Sequence, residues 1–154
     1  MIETPEDIPR LFAEAWNRND ARALADLFAE DAEFVNVVGI WWHNRDAIFK
    51  AHDYGLKVIF SESTVKVTKT VVRYVGECKT AAVVHARMKL SGQTSHAGVE
   101  NPHFRQNVFS FVAEKLTGDS GWICVSAHNT DIVPSQETNI IDEQGRFRSV
   151  DYRK

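Results

Sequence analysis

TVKVTKTVVRYVGECKTAAVVHARMKL, running from Thr64 to Leu90, is the stretch on which the fold turns. Apolar and polar residues alternate within it: Val84, Ala86, Met88 and Leu90 against His85, Arg87 and Lys89. A period of two puts each set on its own face of a β-strand. Gly76-Glu77-Cys78-Lys79 separates two such runs, Thr64–Val75 and Thr80–Leu90, and suits a hairpin in length and residue type. The pattern returns in Phe104–Lys115 and Trp122–Val133, joined by Leu116–Gly121. Four long antiparallel strands are therefore predicted. The polar segment Ser91–His103 between the pairs is long enough to be a mobile loop or a lid.

Upstream of this stretch the period is helical. Ile8, Leu11, Phe12, Ala15 and Trp16 make one stripe, with Asp7 as the expected cap and Pro9 in the first turn. Asp20 should cap a shorter helix bearing Leu24, Leu27 and Phe28. Asn44 should cap a third, whose face carries Ile48, His52, Gly55, Leu56 and Ile59. After a turn at Glu30-Asp31, Phe34–Val38 and Ile40–Trp42 read as short strands around Gly39. Helices followed by a run of strands indicate the α+β class. The expected architecture is a curved, mostly antiparallel sheet wrapped around three N-terminal helices, a cone with one pocket. This single domain should span residues 1–134. Residues 135–154 lose periodicity and read as a polar C-terminal tail that packs on a partner subunit or stays disordered.

The 154 residues amount to one domain's length. Eighteen Lys and Arg against 21 Asp and Glu leave a net charge of −3, which argues against nucleic acid or an anionic membrane as the partner. No apolar run approaches the ~18 residues of a spanning helix. Met1–Asp7 has no signal-peptide pattern, so a cytoplasmic location is expected. Cys78 and Cys124 are isolated and read as small buried hydrophobes. HExxH, GxGxxG, GxxxxGK(S/T) and GxSxG are absent. His96 and His103 share the polar loop but lack a third or fourth ligand at metal spacing. Neither a metal nor a cofactor is expected.

Three local motifs carry a family resemblance. The first is Ala15-Trp16-Asn17-Arg18-Asn19-Asp20 with Leu24, Leu27, Phe28 and Asp31-Ala32-Glu33-Phe34. The second is Gly39-Ile40-Trp41-Trp42-His43-Asn44-Arg45-Asp46-Ala47-Ile48. The third runs from Gly121-Trp122-Ile123 to Ala127-His128-Asn129-Thr130. With Val83-Val84-His85-Ala86-Arg87, they resemble the nuclear transport factor 2-like (SnoaL-like) superfamily over roughly residues 5 to 134. Within it, they resemble the branch labelled SgcJ/EcaC oxidoreductase. The superfamily includes isomerases, dehydratases, cyclases and non-catalytic binding or oligomerisation modules, and a fold does not select among them. The resemblance implies a small-molecule ligand in the cone and a homodimer formed through the sheet face. It also implies that the tryptophan face of the last strand points inward.

The candidate site follows from these placements. His52 should point toward the sheet, either as a hydrogen-bonded core histidine or as a pocket group able to act as general acid and base. Gly55 would leave space beside it. An inward tryptophan face would aim His128 into the cavity near its mouth, as a second proton-transfer group, unless a bulge reverses the parity. Asn36 shares an apolar face with Phe34 and Val38, which suits a pocket amide or a turn contact near Gly39. Trp41 and Trp42 point to opposite faces, so one should line the cavity and the other pack outside. Tyr54 is either a phenolic donor or a surface residue. His85 and Arg87 belong to the outer, dimer-forming face, or to the pocket if parity there is reversed. Asn129 and Asp131 fall opposite His128, where pairing with Arg or Lys across a dimer would explain them. The functions that fit are two. One is a cofactor-free enzyme in which His52 or His128 moves a proton beside a carbonyl of an apolar or polyketide-like substrate while Asn36 or Tyr54 steadies the enolate. The other is a non-catalytic ligand-binding, accessory or oligomerisation module.

Overall fold

The computed structural model describes residues 1–118 and 121–153. Helix α1 spans Asp7–Asn17, α2 Ala21–Ala25 and α3 Arg45–Lys57. The strands are β1 Phe28–Val35, β2 Trp41–Trp42, β3 Thr64–Val75, β4 Ala81–Ser91, β5 Arg105–Lys115, β6 Trp122–Asp131, β7 Thr138–Ile141 and β8 Phe147–Val150. The α+β cone expected from the sequence is present as a six-stranded sheet ordered β2-β1-β6-β5-β4-β3. Strands β3 to β6 form an antiparallel run of four, β1 pairs with β2 antiparallel, and β1 joins β6 in parallel, which makes the sheet mixed. Part of the Leu116–Gly121 connection, Asp119 and Ser120, lies outside the described residues.

The helix signals act largely as the sequence implies. Asp20 accepts from the Ala23 amide at 2.9 Å, and Asn44 from the Ala47 amide at 2.8 Å. Each thus satisfies a donor with no partner inside its helix. Asp7 is not the cap. Its carboxylate accepts from Thr4 N–H and O–H, and Glu6 takes the cap position. The buried stripe of α1 (Ile8, Phe12, Ala15 and Trp16) meets Phe109 and Phe111 of β5 across the concave face. Phe34, Ile48, Val84 and Met88 complete the same core.

Two local departures decide what the site contains. No turn occurs at Glu30-Asp31. Instead β1 runs through them with a register shift between Phe28 and Glu33, leaving both carboxylates exposed while Phe28, Ala32 and Phe34 are buried. The strand then ends at Val35, and Asn36 to Gly39 turn the chain. In β6, Ser126 pairs with Val112 but Cys124 pairs with Ala113, so Val125 is an extra residue on that strand. This β-bulge reverses the alternation. Trp122 and Cys124 are buried before it, and Ala127 after it.

Residues 135–154, expected as a tail without regular structure, contain the β7–β8 hairpin, in which Ile141 faces Phe147 and Ile140 faces Arg148. Cys124 is buried as expected, whereas Cys78 is exposed. Among the described residues, no helix is long and apolar enough to cross a membrane.

Candidate functional site

The concave side of the sheet and the helices enclose a cavity of about 140 Å³. Its wall is largely apolar: Phe12 and Trp16 from α1, Phe34 and Trp42 from the β1–β2 pair, Phe60, Val65, Met88, Leu90 and Phe109. The polar groups on it are few. They are His52, Asn36, Asn107, Asn129 and Arg105, and no aspartate or glutamate lines it.

His52 is the best-defined of them. It is 8% exposed and sits among four rings, with centroids 5.9 Å (Phe12), 6.1 Å (Trp16), 5.3 Å (Phe34) and 5.6 Å (Trp42) away. All four meet it edge-on, the arrangement that aromatic quadrupoles favour. Its Nδ1 lies 2.8 Å from the Ile48 carbonyl one turn back. A carbonyl only accepts, so Nδ1 carries the proton and Nε2 keeps a lone pair. Burial pushes the imidazole pKa down to about 4, and the hydrogen bond to Ile48 opposes this only in part. The ring is therefore neutral at pH 7. Gly55 lines the cavity beside it, as expected. A Cβ there would come within 3.1 Å of the Phe60 ring, so the glycine also admits Phe60.

The other sequence candidates divide. Trp42 lines the cavity while Trp41 is 58% exposed and packs at a tilt against His43, so one tryptophan is inside and one outside as expected. Asn36 combines both roles weighed for it. It lines the cavity, and its Oδ1 accepts from the Val38 and Ile40 amides to hold the Gly39 turn. Tyr54 is 71% exposed and takes no part. His128 is corrected as well. The bulge at Val125 turns it outward, exposed, and brings Asn129 inward in its place. His85 and Arg87 are exposed on the outer face, opposite buried Val84, Ala86 and Met88, as the strand period requires. Asp131 pairs with Arg105 of its own chain at 3.0 Å. No residue of the loop 91–104 lines the cavity. Among the described residues, no three of His, Cys, Asp and Glu come together to hold a metal.

Three polar residues were not foreseen. Asn107 falls on the inward face of β5 with Phe109, Phe111 and Ala113, an amide in register with an apolar row, and that row was legible. Arg105 continues it toward the mouth. Asn129 was hidden by the bulge. Asn107 is 4% exposed, and neither its Oδ1 nor that of Asn129 has a hydrogen-bond partner.

A sheet curled over helices around one mostly apolar cavity defines a cone-shaped domain of the kind that binds small molecules. Residues 9–121 match the SnoaL-like domain, and the chain belongs to that family. No curated protein matches the sequence. Solved structures of the same fold include an uncharacterised protein with a cystatin-like fold from Caulobacter vibrioides. It is 24% identical, with a TM-score of 0.73 over 82% of this chain and 86% of that one. An NTF2-like protein from Novosphingobium aromaticivorans is 18% identical (TM-score 0.67, 84% and 80% of the two chains). A ketosteroid isomerase-like protein from Erwinia carotovora atroseptica is 14% identical (TM-score 0.65, 84% and 94%). Likeness at these identities establishes the fold alone.

Proposed function

We propose that this SnoaL-like chain binds a small, flat, apolar or polyketide-like molecule in the cone, with His52 as the uncharged polar group that the ligand meets. The observation that carries this is His52 itself, a neutral imidazole with one unshared nitrogen, framed by four aromatic rings on the cavity wall. A neutral acceptor in apolar surroundings suits an uncharged ligand, because no buried charge is left unpaired. The volume is close to that of an engineered apolar cavity of ~150 Å³ known to take up benzene, which sets the scale at about one ring. The local motifs that resemble the SgcJ/EcaC branch are consistent with this reading. The test is thermal unfolding with indole or p-cresol, on the wild type and on the cavity-filling variant Ala51→Phe. Ligand at a hundredfold excess over Kd should stabilise the wild type by about 2.7 kcal/mol and the variant far less. Equal shifts in both proteins, or none in either, would overturn it.

A second reading, a cofactor-free active site, rests on the same unshared nitrogen, placed to take a proton from carbon beside a carbonyl. A base whose conjugate acid has a pKa of about 4 is weak, so such a site would act only on an already acidic proton. It would also show a rate independent of pH above about 5. His52→Gln turning over a bound compound as fast as the wild type would exclude it. We infer also that two copies associate through the outer sheet face. There Val83 sits directly across from Val112, both half-buried, followed along the same face by exposed His85 across from Ser110 and exposed Arg87 across from half-buried Val108.

A further inference from the structure

We propose that the cone reads its ligand through a belt of N–H donors, the side-chain amides of Asn36, Asn107 and Asn129, and that the class it takes is an uncharged aromatic compound carrying a carbonyl oxygen. This rests on the ligand-binding reading above and names the part of the ligand that is recognised. All three asparagines line the cavity. Asn107 stands opposite Asp131 and Phe109 opposite Asn129, so Asn107 and Asn129 are diagonal neighbours on β5 and β6. Asn36 and Asn129 directly follow Val35 and His128, the last pair of the β1–β6 seam. Neighbouring strands lie about 4.8 Å apart and diagonal residues about 7–8 Å, so one ligand oxygen can meet two of the three amides.

Each amide shows the cavity its nitrogen. The Asn36 oxygen is spent on the Val38 and Ile40 amides. The oxygens of Asn107 and Asn129 are sealed inside the wall, beyond a ligand's reach. None of the three N–H groups has a partner among the described residues, and none is sealed in that way. An open donor on an apolar wall is relieved by an acceptor, and a carbonyl oxygen brings two lone pairs. His52 Nε2 offers the ligand only a lone pair, which repels a carbonyl oxygen and so turns that oxygen toward the belt. Arg105 lines the cavity two residues before Asn107 on the same row, but its charge is already matched by Asp131 at 3.0 Å. A carboxylate ligand would therefore arrive as an unmatched charge on an apolar wall.

Calorimetric titration with p-tolualdehyde, its carbonyl-free analogue 4-ethyltoluene and the anion p-toluate tests this. The quantity read is the ratio of aldehyde to hydrocarbon affinity, which cancels the apolar contribution common to both. It should fall at least about tenfold from the wild type to Asn107→Leu/Asn129→Leu, tenfold being 1.4 kcal/mol at 25 °C. An unchanged ratio overturns the inference. So does tighter binding of toluate than of aldehyde by the wild type, which would hand recognition to Arg105. In either case binding of 4-ethyltoluene leaves the ligand-binding reading standing, whereas failure of all three probes to bind overturns both. A second readout needs only the wild type and holds even if the double variant does not fold. The infrared C=O stretch of bound p-tolualdehyde should lie at lower frequency than in hexane, because N–H donation weakens that bond. A stretch at its hexane position would show that no amide reaches the oxygen and would overturn the inference.

Discussion

At His52 the proton inventory sets the behaviour of the whole cavity. The folded-state pKa, about 4, lies below the ordinary 6.5, so below pH 6.5 the unfolded chain binds a proton that the folded chain refuses. Stability is therefore highest above pH 6.5, is lost as the pH falls toward about 4, and levels off below that for this group. The full window is worth on the order of 3 kcal/mol. Denaturant unfolding at pH 7 and pH 5 should show the wild type losing about 2 kcal/mol more than His52→Leu between the two. Identical losses would place the imidazole in water rather than among rings. That His52 faces the sheet was legible from its helical spacing with Ile48 and Leu56. Its protonation was not, because burial by Phe12, Trp16, Phe34 and Trp42 is a property of four separate segments. Asn107 was legible in principle, as the one amide in an apolar row. An alternating strand shows which face a residue shares but not that its oxygen finds no partner.

At the scale of elements, one side chain hydrogen-bonds α1 to the β3 backbone. The Asn17 amide donates to the Val65 carbonyl at 2.9 Å and accepts from the Val65 amide at 2.7 Å, so it pairs with β3 as a neighbouring strand would. Beside it, Trp16 Nε1 donates to Ser63 Oγ at 2.9 Å. Val65 and Trp16 both line the cavity, so these bonds fix one wall of it. Asn17→Ala would leave both Val65 backbone groups without that partner and should cost about 1–3 kcal/mol, measured by chemical denaturation. Asn17→Asp retains the acceptor alone and should cost a similar amount. An unchanged midpoint in both would mean that water replaces the clamp at no cost. Element types and most boundaries of β3 to β6 were legible because period two extends over ten or more residues in each. The bulge at Val125 was not, since an inserted residue leaves the apolar content of the strand unchanged while exchanging His128 for Asn129 inside the cone. The β7–β8 hairpin had a signal, β-branched and aromatic residues either side of Asp142-Glu143-Gln144-Gly145, with Gly145 at a φ of 77°. Its brevity and exposure masked it.

For the whole molecule the outer sheet face gives a direct test. Light scattering on a sizing column should return a dimer for the wild type and a monomer for Val112→Arg, which sets a charge against the Val83–Val112 pair. A wild type that stays monomeric at high concentration would remove the sheet face from consideration. The α+β class and the cone followed from the order of elements, since helices preceding four long strands leave few ways to cover one sheet face. The parallel pairing of β1 with β6 was beyond pattern reading, and it is what closes the molecule. Phe34 meets Ala127, joining the N-terminal third of the chain to the last strand of the large sheet. The pairs β3–β4, β4–β5 and β5–β6 join neighbours in sequence, whereas the β1–β6 seam must bring together segments separated by all of them. Loop-closure entropy puts such distant pairings late in folding. The cavity, whose walls come from both sides of that seam, is then among the last features the chain acquires. Until it forms, Phe109 and Phe111 stand on an open face, and time spent in that half-assembled state is the opportunity for chains to stick to one another.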